Sequence, residues 1–312
     1  IYKSLWVRLF MAMEITFLGT SSMVPTKERG QSGILLDCGK EKILFDCGES
    51  MQRQLRIAGI APPKITRVFI SHDHGDHIFG LPGLLENIAK NSAEKKIEIY
   101  GTVDFGKKLK QIVKTFEIGH KIDINFTAIE KNGVFLDTGD LQFGAHFLNH
   151  GVPCLGYYVR EKDRICIDKV KMKKLKLPSG PIIAKLKSKK DVTFEGKKIK
   201  WKDVTFVKEG KKVSVVLDTA ICSAAVSVAK DSNVLICEST FLKEMKVRAK
   251  KYKHLTSEDA GEIAKKGKCK KLVLTHFSQR YEKEEISTML NEAKKVFKKD
   301  VVAADDFMKI KV

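Results

Sequence analysis

The chain has 312 residues, 43% of them hydrophobic and 31% charged, the balance of a globular protein with one large domain or two modest ones. Its 58 Lys or Arg against 38 Asp or Glu leave a net charge of +20 and a pI near 9.5, a field that attracts polyanions. No amphipathic anchor or long apolar span is present, which favours nucleic acid over membrane as that partner, and seven scattered cysteines without a C-x-x-C pair suit a reducing cytosol and argue against a disulfide framework or a thiolate zinc site.

Residues 1–12 read as an extension of uncertain status. They lack the apolar core and small-residue cleavage site of a signal peptide, and Met11 or Met13 is the expected start. A strand over 15–18 is followed by a polar loop over 19–32. Runs 34–36 and 43–45 flank a turn at Cys38-Gly39-Lys40, a hairpin signal. A short helix over 51–58 is ended by Gly59, and the apolar run 67–70 is a buried strand. The next helix spans 81–88, with Pro82 in the first turn, where proline is tolerated. Strands are expected at 97–100, 141–148, 157–159, 213–217, 234–236 and 272–275, with helices at 221–229, 256–266 and 283–297. Mixed strands with interleaved helices in both halves imply two sheets covered by helices, an α/β sandwich. Between Glu161 and Lys212 there are 18 Lys or Arg and 7 Asp or Glu, a net +11. The centre of that stretch, 175–181, is turn-rich and unable to continue a core element. It reads either as a solvated basic insertion or as a projecting arm for phosphate contacts.

The strand over 67–70 runs straight into Ser71-His72-Asp73-His74-Gly75-Asp76-His77. Three imidazoles and a carboxylate at a strand end are costly if buried and purposeless if solvated. Gly75 allows the tight backbone turn that lets His74 and the Asp76-His77 pair point toward different ions. Imidazole and carboxylate without thiolate suit zinc, with manganese or iron as alternatives. A solvated polar turn would explain one histidine, not four such side chains within six positions. Other strand ends carry the same residue types. His150 lies just past 141–148 and precedes Gly151, Asp218 follows 213–217, and His276 follows 272–275. His146 competes with His150 but sits mid-strand. Each alone would be a cap or loop residue. Four strand ends carrying His or Asp form a constellation, because a sheet gathers its strand ends on one rim.

With these residues in place, the chain resembles the metallo-β-lactamase superfamily and, within it, the ribonuclease Z family of tRNA 3′-processing endonucleases. The match runs from about Glu14 to the C-terminus. It passes through Leu18-Gly19-Thr20, Pro25-Thr26-Lys27-Glu28-Arg29, the His cluster, His150-Gly151-Val152 and Asp218-Thr219. Further on come Glu238-Ser239-Thr240, His254-Leu255-Thr256, Thr275-His276-Phe277-Ser278 and Ala304-Asp305-Asp306-Phe307. Three positions depart from the family pattern. Leu217 stands before the bridging aspartate in place of glycine, Cys237 where histidine is common, and Gly30 in place of an asparagine in a motif linked to sensing a 3′ CCA.

The resemblance implies an α/β fold, the αββα sandwich of two mixed sheets flanked by helices. Residues 13–312 would be one domain, with an inserted flexible basic arm at approximately 166–204. It implies two zinc ions, one on His72, His74 and His150, the other on Asp76, His77 and His276, with Asp218 bridging. Asp76 would orient the nucleophile, and His254, oriented by Glu238, would be the general acid for the leaving ribose oxygen. RNA contacts would fall on Pro25, Lys27, Arg29, Gly180, Pro181, Ser278, Arg280, Asp306 and Phe307. The expected protein is a cytoplasmic homodimer that removes the 3′ trailer from precursor tRNA, leaving a 3′-hydroxyl on the tRNA and a 5′-phosphate on the trailer. Two other readings stand beside it: a hydrolase of a small thioester or phosphodiester on the same scaffold, and a basic RNA-binding protein with a degenerate site. The complete ligand set argues against the second of these. The basic arm and His254 argue against the first, since a small substrate needs no distant polyanion contact.

Overall fold

The computed structural model describes residues 13–92, 95–118 and 122–312, so the expectation for 1–12 lies outside them. The chain divides into two units, one made of the residues up to 136 with 143–159 and 212–312, the other of 137–142 with 160–211.

The larger unit is built on two seven-stranded mixed sheets. The first runs, in spatial order, Lys309–Lys311, Glu14–Gly19, Gly33–Cys38, Glu41–Phe45, Arg67–Phe69, Lys96–Gly101 and Asp123–Ala128. Its last four strands pair in parallel; their crossovers are the helices Met51–Ile57, Leu81–Asn91 and Val103–Thr115. The second runs Asp300–Ala303, Lys271–Thr275, Val234–Glu238, Lys212–Val216, Cys154–Glu161, Leu141–Leu148 and Gly133–Asp137, and its first four strands are also parallel.

Alternation along the strands sorts the core into layers. In the first sheet Leu44, Val68, Ile97 and Ile99 pack with Leu55, Leu81, Leu84 and Leu85 of the helices. Their neighbours Phe45 and Phe69 point the other way, where Phe69 lies 5.2 Å from the ring of Tyr157 and 5.7 Å from that of Phe143 in the second sheet. Such aromatic pairs add about 0.5–1.5 kcal/mol each beyond area burial. The Tyr157 hydroxyl is buried with them and donates to the Ile70 carbonyl at 2.7 Å. In the second sheet Leu235, Cys237, Leu272 and Leu274 pack against Ile263, Met289 and Phe297 of the outer helices. Helix, sheet, sheet, helix is the layering that the sequence implied.

The expected elements are present, and several others accompany them. The helix Val103–Thr115 is started by Thr102, whose side chain accepts from the Phe105 amide. Asp123–Ala128, Gly133–Asp137 and Lys309–Lys311 are strands at or near sheet edges. Their half-exposed residues lack the apolar density that marks a central strand in sequence. Among the described residues no helix is long and apolar enough to cross a membrane.

The smaller unit gives the basic stretch elements of its own on either side of the turns at 175–180. Arg164–Ile167 pairs antiparallel with Thr205–Lys208, and Val192–Phe194 with Lys197–Ile199. Helices Lys169–Lys174, Pro181–Lys187 and Trp201–Val204 complete it. Leu177, Leu186, Val192, Ile199 and Val204 form a small buried cluster of their own. Asp168 caps the first helix by accepting from the Val170 and Lys171 amides. Gly180, at φ +118, turns the chain into the helix that Pro181 opens. The apolar residues had been masked in sequence by the lysines between them. The unit closes at its base: the Glu161 amide donates to the Lys211 carbonyl at 2.8 Å. A Cβ on Gly210 would lie 1.7 Å from the Glu161 oxygen, so only glycine fits there.

Candidate metal centre and active site

Parallel pairing turns the carboxyl ends of several strands toward one rim, where open α/β sheets carry their sites. Asp46 follows Glu41–Phe45, Ser71 and His72 follow Arg67–Phe69, Asp218 follows Lys212–Val216, and His276 follows Lys271–Thr275. Asp46, Asp218 and His276 all adopt positive φ, at 57°, 43° and 60°. Left-handed backbone at a non-glycine residue is disfavoured by roughly 1–3 kcal/mol, and persists where the surroundings over-determine it. Every described histidine except His146 enters a cluster of potential ligands. His146 stays mid-strand with its ring 6.4 Å from Tyr158.

Two groups of ligand atoms share Asp218: His72, His74 and His150 on one side, Asp76, His77 and His276 on the other. His72 Nε2 lies 2.9 Å from His74 Nδ1, which lies 3.4 Å from His150 Nε2. His77 Nε2 stands 3.2 Å from Asp76 and 3.5 Å from Asp218, and His276 Nε2 stands 3.6 Å and 3.1 Å from the same two carboxylates.

The far side of each ring fixes which nitrogen faces the site. His77 Nδ1 donates to Asp46 at 2.6 Å. The Ser71 hydroxyl donates to Asp46 at 2.8 Å and so accepts from His72 Nδ1 at 2.9 Å. The Thr240 hydroxyl donates to Glu238 at 2.5 Å and accepts from His276 Nδ1 at 3.0 Å. His150 Nδ1 donates to the Lys253 carbonyl at 3.1 Å. Four rings therefore turn Nε2 inward. These inward nitrogens and the shared Asp218 present the donor set that a zinc-type ion takes.

The residues fit a metal centre on a second ground. His77 Nε2, Asp218 Oδ1 and His276 Nε2 are buried and have no hydrogen-bond partner, although buried polar atoms in native proteins are nearly always paired. Burial and the charge of His77 push His72 well down, and burial lowers His150, so both rings are neutral, as ligands must be. Burial alone would depress His77, but Asp218, Asp46 and Asp76 outweigh it and raise it. Burial would raise Asp76, yet the charge of His77 and the nearness of the His276 ring hold it well below the usual carboxylate range. The negative charge concentrated here is what a divalent cation would neutralise.

His254 stands apart from these ligands in its bonding. Its Nδ1 faces both oxygens of buried Glu238, at 3.2 and 3.1 Å, and lies 3.9 Å from Asp218. Burial lowers its pKa, but Glu238 and Asp218 outweigh this and lift it to about 9. Glu238 is itself held by the Thr219 amide at 2.6 Å. All of this opens on a cavity of about 400 Å³ whose wall includes Asp76, Asp218, His254, Ser278 and Arg280. A larger groove, about 670 Å³ beside Arg53, Arg56 and Pro62, contains none of the ligands.

The other expected contact residues divide. Ser278 and Arg280 line the cavity, Pro25 and Lys27 are exposed on their loop, and Gly180 and Pro181 lie in the smaller unit. Arg29 and Asp306 are hydrogen-bonded within the protein. Arg29 donates to Thr20, the Ala304 carbonyl and Asp305, each at 2.7 Å, with its guanidinium 4.8 Å from the Phe277 ring centroid. Asp306 accepts from Thr20 at 2.7 Å, the Gly30 amide at 2.7 Å and Gln54 at 2.9 Å. Phe307, at φ +67, donates its amide to the Phe17 carbonyl. This bracket holds Thr20, whose carbonyl accepts from the Phe277 amide next to His276. Asp306→Ala is expected to lower unfolding stability by about 2–4 kcal/mol, because it strands three donors. Urea denaturation checks this, and an unshifted midpoint would free Asp306 for an RNA contact.

Sequence reasoning passed over Asp46, Ser71, Thr240 and Lys253, which orient the ligand rings. For Asp46 the signal was available: like Asp218 and His276, it directly follows an apolar strand.

The ribonuclease Z of Enterococcus faecalis is 36% identical to the chain over 303 residues, covering 94% of this chain and 96% of that protein. The chain belongs to the ribonuclease Z family. The solved structure of the short form of human tRNase Z matches with a TM-score of 0.67 and 29% identity, over 96% of this chain and 98% of that one. The metallo-β-lactamase fold protein YhfI of Bacillus subtilis, at 20% identity and TM-score 0.69, covers 96% of this chain and 100% of that one and shares the fold. The family described as Anti-Pycsar protein Apyc1 matches residues 13–119, the segment with the His cluster. Two departures from the ribonuclease Z pattern are accommodated by packing. Leu217 is buried with its carbonyl accepting from the Cys154 thiol at 3.6 Å, and Cys237 points into the helix-side core while Glu238 turns to the site.

Proposed function

We propose that the chain is a two-zinc endoribonuclease that removes the 3′ trailer of tRNA precursors. The products are a 3′-hydroxyl on the tRNA and a 5′-phosphate on the trailer. The observation that carries this reading is one cavity whose wall includes five of the seven candidate ligand side chains together with a separately held His254, its pKa raised by Glu238. Incubation with a trailer-bearing precursor and mapping of both product ends tests it. A 2′,3′-cyclic or 3′-phosphate end on the tRNA would overturn it. Failure on every precursor, with hydrolysis of a small phosphodiester retained, would favour the small-substrate reading.

His72, His74 and His150 would hold one ion, Asp76, His77 and His276 the other, with Asp218 serving both. Bound ions supply a water activated near neutral pH and positive charge for the oxygens of an in-line phosphoryl displacement. The remaining work belongs to the side chains. Asp76, kept ionised, accepts a hydrogen bond from the attacking water and aligns it. Glu238 accepts a hydrogen bond from Nδ1–H of His254, which leaves Nε2–H free to protonate the departing ribose 3′ oxygen. Ser278 and Arg280 bind the phosphate at the cavity wall. Pro25 and Lys27 extend the contact surface, and Arg29 and Asp306 shape the loop behind them.

The smaller unit, with Gly180 and Pro181 at its turn, binds the tRNA body through its lysines, whose neutralisation of phosphates makes affinity fall with salt. A cytoplasmic homodimer is part of this reading, supported by family membership and seven free thiols. Fully active protein is expected to hold two divalent ions per chain by elemental analysis, since seven N or O ligands exceed what one tetrahedral ion uses. Fewer than one per chain would defeat the proposal.

A further inference from the structure

The helix Lys246–Tyr252 plays no part in the chemistry above. Arg248 and Tyr252 line the catalytic cavity and also an adjoining groove of about 330 Å³, whose other wall includes Met245, Val247 and Lys251. Tyr252 is 50% exposed. The Arg248 guanidinium lies 5.4 Å and Lys251 Nζ 5.6 Å from its ring centroid. This is an aromatic platform with cations on hand, the composition of a single-strand nucleic acid site. Its position is fixed from behind. The His254 amide donates to the Ala249 carbonyl at 2.9 Å. Lys253, in the left-handed region at φ 54, exchanges two bonds with His150: its carbonyl accepts from Nδ1 at 3.1 Å, and its Nζ donates to the His150 carbonyl at 2.9 Å. Tyr252 is thereby tied to a metal-ligand residue and stands two positions before the acid.

We propose that Tyr252, Arg248 and Lys251 form a nucleotide subsite for the residue immediately 5′ of the scissile phosphate. The base stacks on the Tyr252 ring, and Arg248 and Lys251 take the phosphate on its 5′ side. The assignment of side rests on the reading of His254 given above: the acid faces the leaving 3′ oxygen, so the ribose carrying that oxygen lies against this helix end. Every base has a π face, so the subsite places the last tRNA nucleotide without reading its identity.

The test crosses the protein with the substrate. Precursor tRNA is made with the nucleotide 5′ of the cleavage site either intact or abasic, and kcat/KM is measured for the parent, Tyr252→Leu and Tyr252→Phe. Loss of one stacked base should slow the parent roughly ten- to hundredfold. Tyr252→Leu should be slowed by a similar factor on intact precursor and no further on the abasic one, whereas Tyr252→Phe should behave as the parent. A 2-aminopurine at that position should be quenched on mixing with the parent and Tyr252→Phe, and not with Tyr252→Leu. If Tyr252→Leu matches the parent on intact precursor, or suffers the full abasic penalty again, the subsite is overturned while the cleavage reading stands. A parent that cleaves no precursor overturns that reading, and the subsite with it.

Discussion

Replacement of His254 by alanine is expected to slow precursor cleavage by roughly 10²–10⁴, the usual worth of a general acid, with metal content at the parental level. The ring Nδ1 is bonded to Glu238, and the seven histidine and aspartate side chains complete both ion groups without it. The ribose oxygen would leave without a proton, and that step would limit the rate. The pH profile gives an independent check. The pKa of His254, about 9 with its carboxylates alone, is drawn down by cations bound nearby. A raised pKa means the acid form is present below it and lost above it. The parental rate should therefore fall on a basic limb below pH 9, and the alanine variant should lack that limb. Loss of metal in the variant would identify His254 as a ligand, as its proximity to Glu238 and His276 allows. Unchanged activity would make it a helix-edge residue only.

Excision of the smaller unit's tip should nearly abolish precursor cleavage and leave hydrolysis of a small phosphodiester intact. The structure shows where to cut. Ile167 and Thr205 are paired across the ribbon, so residues 168–204 can be replaced by a two-residue Asn-Gly turn. The removed apolar cluster packs on itself, and neither sheet core of the larger unit draws on it. Fold and metal content should therefore survive. The lost lysines remove several phosphate contacts, so kcat/KM on precursor tRNA should drop by on the order of 10³ at physiological salt, and the dependence of affinity on salt should flatten. A variant that cleaves precursor as well as the parent would make the unit a solvated insertion.

Much of the site was legible in the chain because its signals are local. Apolar runs of four to eight residues mark buried strands, and a histidine or aspartate directly after such a run marks a strand end, as at His72, His150, Asp218 and His276. The basic stretch was legible as charge and as a turn-rich centre, but its small core was not. Its apolar residues, from Leu177 to Val204, are spaced among lysines and reveal a core only when the small helices and hairpin form. Asp46 carried the strand-end signal, but its task of orienting Ser71 and His77 depends on a neighbour 25 or 31 positions away.

By itself, then, the sequence determined the residue types, the strand ends that carry them and the sign of the charge that meets RNA. The tertiary structure decided which nitrogen of each imidazole faces the site, since that is set by partners such as Asp46, Thr240 and the Lys253 carbonyl, distant in the chain. It also decided that Arg29 and Asp306 are hydrogen-bonded within the protein, and that Tyr252 lines the cavity. Periodicity is a property of neighbouring residues. Convergence is a property of parallel strands packed edge to edge, and of the hydrogen bonds made where their ends meet.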